Sequence, residues 1–407
     1  MTTAKKHLLT GAVNQVLVSG TSFIVSAYLA YRIPTVDFAI YALAISLSVL
    51  LSSTINSLIT TPMVIDARGS DFQLRDDYVI HGVKTVFLLL ALIATCAWLI
   101  KAILPTRVTT SEFSSIAIFS LSYSAREFIS RTAIAIDKIQ PLMATNAIYL
   151  IGVAIFLAVL DMKGFLTIEN SLHTISVINL LTAAILVIGL GLQKSSGRKS
   201  TDTMTSNISV QQRAWALLGS SLIWAQTQGF TPIIILLFGK EIAGSIAASR
   251  LVLTPALTIL SGTSQFLLPK IAEQERNPSL VAHFNLDRIY SSLCQIAIAY
   301  AACSTVVLYL TRDYEWTRKF PDFAIFAAIW SLIAITQTLR DKSSLRLIAM
   351  GKFREITIYT ALAMLPLALV SVVCIQYKNP SLIIIGIVIG EVVLAALLKR
   401  GLKSSHK

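Results

Sequence analysis

Apolar runs long enough to cross a bilayer recur from one end of the chain to the other, and no other feature limits its fold so strongly. A helix needs about 20 such residues to span roughly 30 Å of hydrocarbon. Twelve runs qualify, near residues 8–30, 38–64, 79–104, 112–135, 141–160, 172–192, 213–238, 241–268, 288–310, 322–348, 355–376 and 381–399. Charged residues make up 14% of the 407, and hydrophobic ones 55%. A soluble domain carries roughly 25% charged residues, so a soluble fold is excluded. The expected class is all-α integral membrane, with about twelve transmembrane helices as two pseudo-symmetric six-helix bundles around a central cavity.

The longest polar stretch, "LQKSSGRKSTDTMTSNISVQQR" (Leu192 to Arg213), is rich in Ser, Thr and Lys and reads as a flexible linker. It divides the chain into an N-terminal bundle (1–192), a cytoplasmic linker (193–212) and a C-terminal bundle (213–407). The net charge of +13 raises nucleic acid as a partner, but the distribution of the basic residues points to the bilayer instead. With the N-terminus inside, cytoplasmic segments hold 19 of the 34 Lys and Arg, outer loops 9, and the spans themselves 6. This bias places both termini in the cytoplasm. Cys96, Cys294, Cys303 and Cys374 all fall in apolar runs at no metal-binding spacing, so neither a disulfide nor a metal site is expected.

The six basic residues inside spans are the unusual ones. "SYSAREFISRTAIAIDKIQ" (Ser122 to Gln140) and "TQTLRDKSSLRLIAMGKFR" (Thr336 to Arg354) align at a constant offset of 214. Arg126 then meets Arg340, Glu127 meets Asp341, and Lys138 meets Lys352. "SLITTPMV" and "SQFLLPKI", ending the second and eighth spans, form a weaker correspondence at another offset. With six spans per half, the repeats are parallel, an arrangement used for alternating access.

An arginine at the centre of a bilayer costs about 2.5–3.5 kcal/mol by insertion scales, so it must face protein or water. Arg126 and Arg340 lie deep, whereas Arg131 and Arg346 lie within about two turns of a span end, where they can also snorkel. Glu127 stands four residues before Arg131, the favourable order for an ion pair on one helix face. Asp341 has Leu345 at that spacing, and Lys342 and Arg346 add positive charge. Two readings stay open. In one, Arg126, Arg131, Arg340, Arg346 and Arg250 bind an anionic headgroup through planar, bidentate guanidinium forks. In the other, they and the neighbouring Glu127, Asp341 and Lys342 form ion pairs that hold the bundles together. Asn14, Gln15, Asn56, Gln226, Gln228 and Gln265 are candidates for lining the same cavity or for interhelical hydrogen bonds. Glu391 could bind a proton or a cation, but is expected instead to pair with Lys399 or Arg400 at the membrane edge.

Several of these elements resemble bacterial polysaccharide and O-antigen flippases of the multidrug/oligosaccharidyl-lipid/polysaccharide superfamily. They are Phe38-Ala39-Ile40-Tyr41 (with Ala39 where those proteins have Gly), the helix ending near Pro62, "AREFISR" in the fourth span, and "GSIAASRLVLTPALTILSGTSQFLLPKIA" (Gly244 to Ala272). The resemblance implies a non-enzymatic flippase of the bacterial inner membrane. Its substrate would be an oligosaccharide on undecaprenyl pyrophosphate for lipopolysaccharide or other surface polysaccharide. Its partners would be membrane lipids, a polysaccharide polymerase and export machinery. Arg126 and Arg131 match the family motif directly, and Arg340 and Arg346 follow through the repeat. No cofactor is expected, and energy would come from a proton or sodium gradient or from consumption of product. The rivals are a multidrug or cation antiporter of the same fold and a membrane polysaccharide polymerase. A polymerase would be expected to carry a large outer loop, and the longest here is the short "TRDYEWTRKFPD" (Thr311 to Asp322).

Overall fold

A computed structural model describes residues 3–62, 108–136, 138–191, 210–276, 286–311 and 314–405. Every regular element among them is helical. In chain order these are α1 (Thr3–Arg32), α2 (Thr35–Ile55, running into a π turn at Asn56–Thr60), α3 (Thr110–Ala135), α4 (Ile139–Met162), α5 (Ile168–Gly189), α6 (Val210–Thr227) and α7 (Phe230–Phe238). Then follow α8 (Lys240–Arg250, ending in a 3₁₀ turn at Leu251–Leu253), α9 (Thr254–Arg276), α10 (Leu286–Leu310), the single turn α11 (Glu315–Arg318), α12 (Phe323–Ala349), α13 (Phe353–Tyr377) and α14 (Ser381–Ser405). Among the described residues, eight helical segments are long and apolar enough to cross a membrane, or nine if the bent pair α6–α7 is one span. The expected third span, 79–104, and residues 193–209 of the expected linker lie outside the described residues.

Local chemistry sets the helix ends. Thr109 and Glu112 form a capping box on α3, each side chain accepting from the other's backbone N–H. Between α12 and α13, Gly351 adopts φ +71°, which lets the Lys352 N–H reach back to the Leu347 carbonyl and close the helix in three residues.

The chain forms two compact units, and α1 and α2 contribute to both. The first unit holds Met1–Leu17 and Leu47–Leu217, and the second holds Val18–Ser46 and Leu218–Lys407. In the first, α5 packs along α3 and along α4. Leu51, Ile55 and Ile59 of α2 and its π turn bury against Ala125 and Phe128 of α3. In the second, α14 packs along α12 and along α13, and an apolar cluster surrounds Trp330 on α12, with Phe230, Ile234, Ile246, Ile333 and Ile387.

The repeat extends beyond its charged residues. Shifted by 214, α3 falls on 324–349, α4 on 353–376 and α5 on 382–403. Those ranges are α12, α13 and α14 to within two residues at each end. The packing repeats as well, since the third helix of each trio lies along the other two.

Candidate functional site

In the first unit, Arg126 sits mid-way along α3, on a face lined by α4. Its NH2 donates to Asn146 Oδ1 at 2.7 Å, and the guanidinium carbon lies 3.5 Å from the centre of the Tyr149 ring. Asn146 passes the network on, its Nδ2 donating to Asn14 Oδ1 at 2.8 Å. Both asparagines are buried. Every group holding Arg126 is therefore neutral, and no carboxylate pairs with it among the described residues. One turn on, Arg131 Nε donates to Glu127 Oε1 at 2.7 Å, so the i,i+4 spacing read from sequence does bring this pair together. Asn56 is half-buried and begins the π turn of α2. Wide turns of this kind are often found where a helix serves a site rather than a span.

In the second unit, the repeat-related arginine is held quite differently. Arg340 NH1 contacts both oxygens of Glu391, at 2.8 and 2.9 Å. Its Nε and NH2 both donate to Asp341 Oδ1, at 3.0 and 2.8 Å. Gln337 Nε2 adds a third hydrogen bond to Glu391, at 3.3 Å, and the glutamate side chain is 0% exposed. Glu391 therefore does not pair with Lys399 or Arg400. α14 turns this residue toward α12, while Lys399 and Arg400 stay exposed two turns further along. Position 177, the equivalent of 391 in the first half, is an exposed Val, which is why Arg126 has no such counter-charge. Lys342 pairs with Asp287 of α10 at 2.6 Å, on the exposed side. Arg346 is half-buried on the last turn of α12.

Arg250 ends α8, where the span tightens into the 3₁₀ turn. Its NH1 donates to Gln228 Oε1 at 2.6 Å and to the Thr227 carbonyl at 3.2 Å. Those two residues mark the 42° bend between α6 and α7. Gly229 at that bend packs so closely on Ala225 that a Cβ would press into its backbone. The guanidinium also faces the rings of Trp330 and Phe230, at 5.2 and 5.8 Å. Ser46 of α2 donates to the Gln228 carbonyl, and Trp224 donates back to the Ser46 carbonyl. Gln226, one turn away, is buried with neither amide atom bonded. The side chains of Gln15 and Gln265 lie outside the described residues.

The apolar pattern presents 213–238 and 241–268 as unbroken spans; the second runs continuously through its 3₁₀ turn over Lys240–Ser264, whereas the first bends by 42° at Gln228–Gly229. Gly229 with Pro232, and Pro255, were the available signals. Tyr149, Asn146 and Trp330 carried no signal, because an aromatic or amide in a membrane helix is ordinary until its neighbour is known.

No protein family and no curated protein matches the sequence. Solved structures do match the fold. The chain superposes on the eukaryotic MATE transporter AtDTX14 with a TM-score of 0.65 at 15% identity, over 97% of this chain and 94% of that one. An inward-facing multidrug resistance MATE transporter gives 0.64 at 9%, over 96% and 94%. A transporter from Pyrococcus furiosus, for which reversed polarity of the binding pocket suggests a different function, gives 0.62 at 14%, over 99% and 97%. The fold is that of the MOP-superfamily transporters. Twelve helices in two bundles, the class expected from the hydropathy pattern, is the architecture of that fold.

Proposed function

We propose that the protein is a multi-pass transporter working by alternating access, and that its substrate is an amphipathic anion. A lipid-linked oligosaccharide carried on a polyprenyl pyrophosphate fits best. The observation that carries this reading is Arg126, a guanidinium of α3 held, among the described residues, by Asn146 and the Tyr149 ring. A cation with no carboxylate partner among those residues is suited to receive an anionic one from the substrate. The buried carboxylates among the described residues are already committed, Glu112 to a helix cap and Glu391 to Arg340. That leaves little to attract a cationic drug.

A second reading, a multidrug or cation antiporter, is favoured by the solved structures, most of which are MATE transporters. Reconstituted vesicles distinguish the two. On the first reading the protein moves a fluorescent polyprenyl-pyrophosphate oligosaccharide between leaflets, and Arg126→Ala slows this at least tenfold at equal protein level. Transport of cationic dyes with no effect on the lipid-linked substrate would decide for the second. In cells, deletion should leave lipid-linked oligosaccharide accumulating on the cytoplasmic face.

A further inference from the structure

We propose that the anion-binding cation of the second unit is Arg250, not the repeat-related Arg340, and that it takes one phosphoryl group of the substrate beside the bend between α6 and α7. This assignment rests on the anionic-substrate reading above. Three independent observations support it.

The first is how each guanidinium is engaged. Arg340 spends all three nitrogens on Asp341 and Glu391, so its charge is already balanced and its fork is filled. Arg250 uses NH1 alone, on neutral acceptors, and its Nε and NH2 carry no hydrogen bond. It pairs with no carboxylate among the described residues. Glu391, whose charge reaches it, is bidentate to Arg340.

The second is the backbone. The chain bends by 42° between α6 and α7 at Gln228–Gly229, and the neighbouring span Lys240–Ser264 tightens into a 3₁₀ turn at Leu251–Leu253, directly after Arg250. A bend in an apolar helix leaves backbone polar groups that need partners. Arg250 reaches the bend, satisfying the Thr227 carbonyl and fixing the Gln228 side chain. This braces the guanidinium against the bend and leaves its other edge to a ligand.

The third is a neighbouring unused donor. The Trp330 indole is 1% exposed, lies against the guanidinium, and its Nε1–H has no partner. Buried polar groups are satisfied in the large majority of proteins, so an orphaned donor beside an arginine that pairs with no carboxylate among the described residues points to an acceptor that arrives from outside. A phosphoryl oxygen supplies several acceptors and the matching charge.

The test uses the purified full-length protein in detergent, following ligand-induced thermal stabilisation. The probes are farnesyl pyrophosphate, inorganic pyrophosphate and a cationic dye. Farnesyl pyrophosphate should stabilise the wild type, and Arg250→Ala should weaken its apparent affinity by about 10–100-fold, the loss of a charge-assisted bond. Arg250→Lys should recover part of it, because charge returns without the fork. Trp330→Phe keeps the ring and removes only the N–H, and should weaken binding by several-fold without lowering the ligand-free melting temperature. Arg340→Ala should lower that melting temperature while leaving the affinity within about threefold. Stabilisation by inorganic pyrophosphate as well would mean that the headgroup suffices. Stabilisation by the farnesyl ester alone would place the phosphoryl group in a lipid. Either supports the assignment.

Equal affinity in wild type, Arg250→Lys and Trp330→Phe would overturn it while leaving the anionic reading intact. So would loss of binding in Arg340→Ala alone. A wild type stabilised only by the dye would overturn the anionic reading, and this assignment with it.

Discussion

Arg340 and Glu391 are 51 residues apart and share a two-pronged ion pair, NH1 lying 2.8 and 2.9 Å from the two carboxylate oxygens. The pair joins α12 to α14, and α14 is also the helix that packs along α13. Removing Arg340 leaves the buried Glu391 uncompensated, at a cost of about 3–5 kcal/mol, whereas removing Glu391 leaves Arg340 with Asp341 as its one carboxylate and costs less. Arg340→Leu should therefore lower the melting temperature by several degrees. Arg340→Leu combined with Glu391→Leu should regain most of that loss, because two apolar side chains need no counter-ion. A double-mutant cycle read by thermal denaturation gives the coupling, and two independent, additive effects would refute the pairing.

Lys319 caps α1 from 286 residues away. Its ammonium donates to the Ala30, Tyr31 and Ile33 carbonyls at 2.8, 3.1 and 2.5 Å, groups at the C-terminal end of α1 that have no helical partner of their own. Thr35 returns a bond to the Lys319 carbonyl, and Phe320 packs edge-on against Phe38. Lys319→Met keeps the packing and removes the donors. It should destabilise the protein by about 1–3 kcal/mol, the cost of orphaned carbonyls. Hydrogen exchange at residues 30–34 should rise in the variant, and unchanged protection there would mean the cap is idle.

Gly244 of α8 lies against the backbone of Thr35, where a Cβ would collide with the carbonyl oxygen. Gly244→Ala must push two helices apart and should cost about 1–3 kcal/mol. Gly20 has open space around its Cβ position, so Gly20→Ala should be neutral or slightly stabilising. Melting temperatures of the two variants side by side check the contrast.

Tyr149 offers Arg126 the face of its ring. Tyr149→Phe preserves that face and should change transport little, whereas Tyr149→Leu should lose about 0.5–2 kcal/mol of the interaction. Transport of the lipid-linked substrate, normalised to protein level, distinguishes the two. Equal losses would assign the role to the hydroxyl instead.

The charged repeat shows how far the sequence reaches. Offset 214 is visible in a few residues, yet it gives the boundaries of three successive helices, because helix ends follow from hydrophobic runs and the polar residues between them. The Glu127–Arg131 pair was readable for the same reason, both residues being on one turn of one helix. The partner of Glu391 was not. Lys399 and Arg400 are close along the chain, but which face of α14 meets α12 depends on how three helices pack, and that rotation leaves no local mark.

The sequence alone determined that this chain crosses a membrane many times, that it is built on a repeat, and that arginines stand at matching positions in each half. These are properties of single helices, fixed by the cost of moving side chains and peptide groups out of water. Only the tertiary structure decided which arginines have a carboxylate partner among the described residues. Arg126 meets an amide and a ring, Arg340 meets two carboxylates, and Arg250 reaches the bend between α6 and α7, although all three look alike as charges in apolar runs. The energy of a buried charge depends on what lies within a few ångströms of it, and those neighbours come from other helices.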